Sequence, residues 1–80
     1  MNRTQRKTPK ARFVVCVKNE GYEASLERNK IYTFIPDAEA AKDNDIRVVD
    51  ESGEDYLYPA DWFVAIDVPK AVEQLLLRAG

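Results

Sequence analysis

The sequence predicts a mainly β domain, a small five-stranded barrel with a C-terminal α-helix and a flexible basic N-terminal tail. Three observations predict it. Five short runs rich in β-branched and aromatic residues alternate with turn-forming residues. The last segment carries an apolar stripe at helical spacing. The first eleven residues have almost no apolar side chains and cannot bury enough surface to offset the entropy of ordering. Eighty residues leave room for one core, so the organisation reads as a tail over 1–11, a barrel over 12–67 and a helix over 68–80.

The strands are read at 12–17 (RFVVCV), 30–36 (KIYTFIP), 46–50 (IRVVD), 55–58 (DYLY) and 63–67 (FVAID). The first connection, 18–29, is long; Gly21 suits a left-handed position in it, Leu26 is the side chain expected to anchor it, and Asn29 tolerates the left-handed conformation that reverses the chain. The stretch 36–44 (PDAEAAKDN) has no apolar face and reads as a solvated loop. In 50–54 (DESGE), Gly53 fits the left-handed position that follows a type I turn in a bulged hairpin. The run 59–62 (PADW) is too short for a helix and fits one 3₁₀ turn.

Pro69 suits a first helical position, and Val72, Leu75, Leu76 and Ala79 follow the i, i+3, i+4, i+7 stripe; Leu77 lies off it. The first and last strands are apolar on both faces, so they need a second cover. The helix is expected either to lie as a lid over them, near Val14, Cys16 and Ala65, or to form a homodimer interface. The inward set is expected to hold Val15, Val17, Leu26, Ile31, Ile35 or Phe34, Val48, Leu57, Val64 and Ile66.

Charge is unevenly spread. Residues 1–12 hold Arg3, Arg6, Lys7, Lys10 and Arg12 with no anion, and the remainder carries seven cations and fourteen anions, a net of −7. The five cations are a candidate polyanion-binding tail, although a net charge of −2 argues against coating nucleic acid by bulk charge. No apolar stretch follows the cations, as a signal peptide would require, and no run is long enough to span a bilayer, so a cytoplasmic location is expected.

The residues offer little for catalysis. Without histidine, Ser–His and Cys–His nucleophiles are excluded, and one cysteine can form neither an internal disulfide nor a Cys/His zinc site. Cys16 sits among valines and reads as a small buried hydrophobe. The acidic group Asp50, Glu51, Glu54 and Asp55 lacks the ligand spacing of a calcium loop and reads as a solvated turn that also blunts edge pairing. The three glycines stand too far apart for a phosphate loop. No catalytic, cofactor or metal-binding residue is assigned.

The order of elements, with the run 56–64 (YLYPADWFV), resembles the end of an SH3 domain, where an apolar strand reaches a proline, two small or polar residues, an aromatic and a valine. That resemblance implies that Pro59 and Trp62 help form a ligand groove. The third strand begins Asp45–Ile46–Arg47, where SH3 domains carry tryptophan, a departure that bears on PxxP recognition. The runs 18–22 (KNEGY), 25–26 (SL), 30–32 (KIY) and 50–59 (DESGEDYLYP) are similar to short SH3-like proteins of bacteria and phages that have no assigned activity. The reading is therefore a non-enzymatic SH3-like binding or adaptor module acting through protein–protein contact. Its candidate groove is Tyr22, Tyr58, Pro59 and Trp62, edged by Glu20, Glu23, Glu54, Asp55 and Asp61 and suited to a basic peptide. The rival is a nucleic-acid-associated accessory protein that uses the basic tail.

Overall fold

The computed structural model describes residues 12–79. Five antiparallel strands, β1 (Arg12–Cys16), β2 (Ile31–Ile35), β3 (Asp45–Val49), β4 (Asp55–Pro59) and β5 (Phe63–Ile66), form one sheet in the order β4-β3-β2-β1-β5. Two short helices, α1 (Ala38–Lys42) and α2 (Lys70–Ala79), and a 3₁₀ turn at Ala60–Trp62 complete the order. Strands β4 and β5 sit at opposite edges and do not pair, so the sheet is open.

Register decides which side chains share a face, because residues directly opposite point the same way. Val14 lies opposite Tyr32 and Ala65, Cys16 opposite Phe63, Phe34 opposite Val48, and Ile46 opposite Tyr58. This face is the core: Val14, Cys16, Tyr32, Val48, Tyr58 and Phe63 are buried on it with Leu26, and Phe34, Ile46 and Trp62 pack against them.

The inward set expected from the sequence is correct at Leu26 and Val48 and, in part, at Phe34. The other residues fall on the opposite face. Val17, Ile35, Leu57 and Val64 are exposed there, and Val15, Ile31 and Ile66 are half-buried. The physical reason is that the sheet turns its tyrosines inward. Tyr32 and Tyr58 bury their rings and keep a hydrogen bond at the hydroxyl, which makes burial tolerable.

The left-handed positions fall where the turns need them: Gly21 at φ +83°, Asn29 at +69°, Gly53 at +86°, and Asn44 at +59° where α1 hands over to β3. The hairpin β3–β4 closes with Gly53 N–H donating to the Asp50 carbonyl at 2.9 Å and Asp50 N–H donating to that of Glu54 at 3.1 Å, the bonding of a bulged turn.

The stretch read as a solvated loop is helical. Asp37 caps α1, its carboxylate accepting from Glu39 N–H at 3.0 Å and Ala40 N–H at 3.1 Å. Ala40 is buried where α1 packs on β3, so a single small side chain stands in for an apolar stripe. Arg47 on β3 ties the cap down by donating to Asp37 at 2.9 Å, and it also meets Asp55 at 2.9 Å.

Helix α2 starts at Lys70, one residue later than expected, and Pro69 stands just before it with its carbonyl accepting from Glu73 N–H at 2.9 Å. Val14 and Cys16, near which the helix was expected to lie, are sealed on the inner face instead; on the outer face Phe13 is buried, while Leu75 of α2 is 64% exposed. The sides of α2 that are half-buried carry Glu73 and Leu76.

Candidate aromatic binding surface

The site starts in the long connection between β1 and β2. Tyr22 N–H donates to the Asn19 carbonyl at 2.8 Å, and the Tyr22 carbonyl accepts from Ser25 and Leu26 N–H, both at 2.9 Å. These bonds fold the connection into consecutive turns. Leu26, fully buried, pins it to the core, and the Asn19 side-chain amide donates to the Leu26 carbonyl at 2.9 Å. The root of the connection is joined to the 3₁₀ turn by Val17 N–H, which donates to the Trp62 carbonyl at 2.7 Å. Tyr22 and Trp62 are thus held by one bonded frame although forty residues of sequence separate them.

Three of the four groove residues come together. Tyr22 meets Tyr58 edge-to-face with ring centroids 5.5 Å apart and meets Trp62 at 5.7 Å; Tyr58 and Trp62 are stacked at 6.4 Å. Tyr58 is buried beneath the other two, Trp62 is half-buried and Tyr22 is 50% exposed. Pro59 follows Tyr58 by one residue in an extended strand, opposite Asp45, and so projects from the other face. The cluster is a graded surface, with one buried ring as floor and two more exposed rings standing on it.

The floor is held by Asp50, which the sequence reading left on a solvated turn. Asp50 is buried, and its carboxylate accepts from the Tyr58 hydroxyl at 2.5 Å, the Ser52 hydroxyl at 2.6 Å and Ser52 N–H at 2.9 Å. Burial pushes its pKa up, but the bonds from Ser52 and Tyr58 outweigh that and leave the carboxyl below its ordinary value. Burial first, and then the carboxylate beside it, push the Tyr58 hydroxyl up to about 12. The signal was present in the sequence as Asp-x-Ser, in which a carboxylate accepts from the backbone two residues on.

A parallel network lies alongside. Glu51 accepts from Lys30 and from the Tyr32 hydroxyl, both at 2.6 Å, while the Tyr32 oxygen accepts from Glu27 N–H at 2.7 Å. Glu51 N–H donates to the Ser25 carbonyl at 3.0 Å, so the β3–β4 turn braces the segment that carries Tyr22.

The charges around the cluster are mostly acidic. Glu20 and Glu23 flank Tyr22, and Asp61 precedes Trp62; all three are exposed. Two of the expected edging carboxylates are engaged elsewhere: Asp55 is ion-paired with Arg47 on the opposite face, and Glu54 accepts from the Tyr56 hydroxyl at 3.0 Å. Burial raises the Cys16 thiol pKa, and its Sγ donates to the Lys18 carbonyl at 3.2 Å, the state of an unreactive packed thiol. Among the described residues no group of three or more carboxylates and thiols is placed to hold a metal ion, and no helix is long and apolar enough to cross a membrane. Of the polyanion-binding candidates, Arg3, Arg6, Lys7 and Lys10 lie outside the described residues, and so does the side chain of Arg12. No protein-family profile, curated protein or solved structure matches the chain.

Proposed function

We propose that the protein is a non-enzymatic binding module with an SH3-like barrel, acting through protein–protein contact at the surface formed by Tyr22 and Trp62 over Tyr58. The observation that carries the reading is the convergence of these three rings, two of them open to solvent, on a frame of backbone hydrogen bonds. Aromatic rings that keep a polar handle at the surface are the side chains on which binding energy concentrates.

The barrel reading is supported by the meander order β4-β3-β2-β1-β5 and by the 3₁₀ turn that carries the chain from one sheet edge to the other. It is supported too by Tyr58 of β4 and Phe63 of β5, whose rings lie 6.2 Å apart across the core.

The ligand class follows from charge. Glu20, Glu23 and Asp61 favour a cationic segment, whose apolar atoms the rings accept and whose cations the carboxylates and ring faces attract. A peptide array of basic and neutral sequences, read by Trp62 fluorescence, tests the reading. Basic peptides are expected to bind, and Tyr22→Ala is expected to weaken binding by roughly tenfold or more, the scale of an aromatic hot spot. Equal response to neutral and basic peptides, or no effect of Tyr22→Ala, contradicts it.

A further inference from the structure

The inner face of the sheet is not sealed at the end where β2 hands over to α1. Phe34 and Ile46 belong to that face by register, opposite the buried Val48 and Tyr58, yet both are only half-buried. Both line a recess of about 490 Å³ between α1, the start of β3 and the 3₁₀ turn. Ala38, Ala41 and Ala60 line it too, and their methyls stop short where longer side chains would close it. A mostly apolar recess of this size, with a few polar groups at its wall, is the usual form of a small-molecule site.

Hydrogen bonds frame the recess. Asp37 caps α1 and accepts from Arg47 at 2.9 Å. Ala60 N–H donates to the Asn44 carbonyl at 2.8 Å, which ties the 3₁₀ turn to the end of α1. The charges of the lining do not balance. Asp37 and Arg47 neutralise each other, and Asp55 holds Arg47 as well. Asp45, the third charged residue of the lining, is half-buried and has no ion-pair partner among the described residues. A carboxylate beside an apolar recess attracts a cation, and the walls take an apolar body. An anion would meet Asp45, while the one cation of the lining is already held by two carboxylates.

We propose that this recess binds a small organic amine, with its apolar body against Phe34 and Ile46 and its ammonium group at Asp45. The inference is independent of peptide binding: the recess adjoins the 3₁₀ turn, but none of Tyr22, Tyr58 and Trp62 lines it.

Chemical-shift titration of the full chain tests it, with three probes of similar shape: naphthylmethylamine, naphthylmethanol and naphthylacetate. The amine is expected to shift the methyls of Ala38, Ala41 and Ile46 with a dissociation constant of about 1 mM or below, which about a dozen heavy atoms in such a site can supply. The alcohol is expected to bind about fivefold more weakly, the scale of a half-exposed ion pair, and the acetate more weakly still. Asp45→Asn is expected to erase the preference for the amine over the alcohol. Ala41→Leu, at an exposed position that tolerates the longer side chain, is expected to fill the recess and abolish binding of both. Equal binding of amine and alcohol to the wild type, an Ala41→Leu variant that still binds, or no saturable shifts at all overturns the proposal. So does a shift of the same methyls when Arg3, Arg6, Lys7 and Lys10 are replaced by Gln with no probe present, because the chain's own basic segment would then be the occupant.

Discussion

Asp50 shows how much a single side chain settles in a domain this small. Its buried carboxylate has three donors, and removing one exposes the energetics. Tyr58→Phe is expected to cost roughly 1.5–3 kcal/mol in urea unfolding, the range for a hydrogen bond to a charged group. The pH dependence follows from proton affinity. The folded chain holds the Asp50 proton more weakly than the unfolded chain, so this stabilisation is present above pH ~4 and is lost as acid titrates through the lowered folded pKa. Tyr58 has the opposite sense: its proton is held more tightly when folded, so its stabilisation is complete below pH ~10 and is lost as the pH climbs toward about 12. Unfolding followed across pH is expected to give a plateau with both flanks, and Asp50→Asn is expected to flatten the acid one. Leu26→Ala, at a fully buried anchor, is expected to cost about 2–5 kcal/mol and to loosen the turns that hold Tyr22.

The turns and helices obey local rules that differ in how readable they are. Gly53, at φ +86°, has open space around the position a Cβ would take, so Gly53→Val is expected to cost about 1–2 kcal/mol through backbone strain alone. Gly21, Asn29 and Gly53 were legible because few other residues accept their conformation. Helix α1 was not, since its hold on the sheet is the cap at Asp37 and the methyl of Ala40, and neither makes an apolar stripe. Asp37→Ala removes the cap and one partner of Arg47 together, and is expected to lower the melting temperature and speed amide exchange over Ala38–Lys42. The α2 stripe was legible as a helix signal, but periodicity says only that a face is apolar and not what covers it. Deleting residues 70–80 is expected to leave Cys16 unreactive toward thiol reagents, because the thiol is sealed on the inner face.

At the scale of the whole molecule, strand positions and the connections other than that of α1 were readable, while the phase of the strands was not. The run Phe13–Val14–Val15–Cys16–Val17 is apolar at every position, so alternation offers no contrast from which to choose a face. In β4, hydrophobicity alone turns Leu57 inward, but the sheet buries Tyr58 because Asp50 waits for its hydroxyl. Val14→Asp is therefore expected to abolish folding by circular dichroism, whereas Val64→Asp is expected to leave a folded chain. Of the candidate surface, Tyr22, Tyr58 and Trp62 were identifiable as aromatics beside turns; Asp50 was not, because a carboxylate at a hairpin reads as solvated until its donors are seen. The central claim is that the surface of Tyr22 and Trp62 takes a cationic peptide, and amide chemical-shift mapping tests it most directly. Titration with a basic peptide is expected to shift the amides of 19–25 and 60–63 and the Trp62 indole, with α2 unmoved and the response weakening as salt rises. Shifts confined to α2 and the outer sheet face, or no shifts at all across the basic peptides, would contradict it.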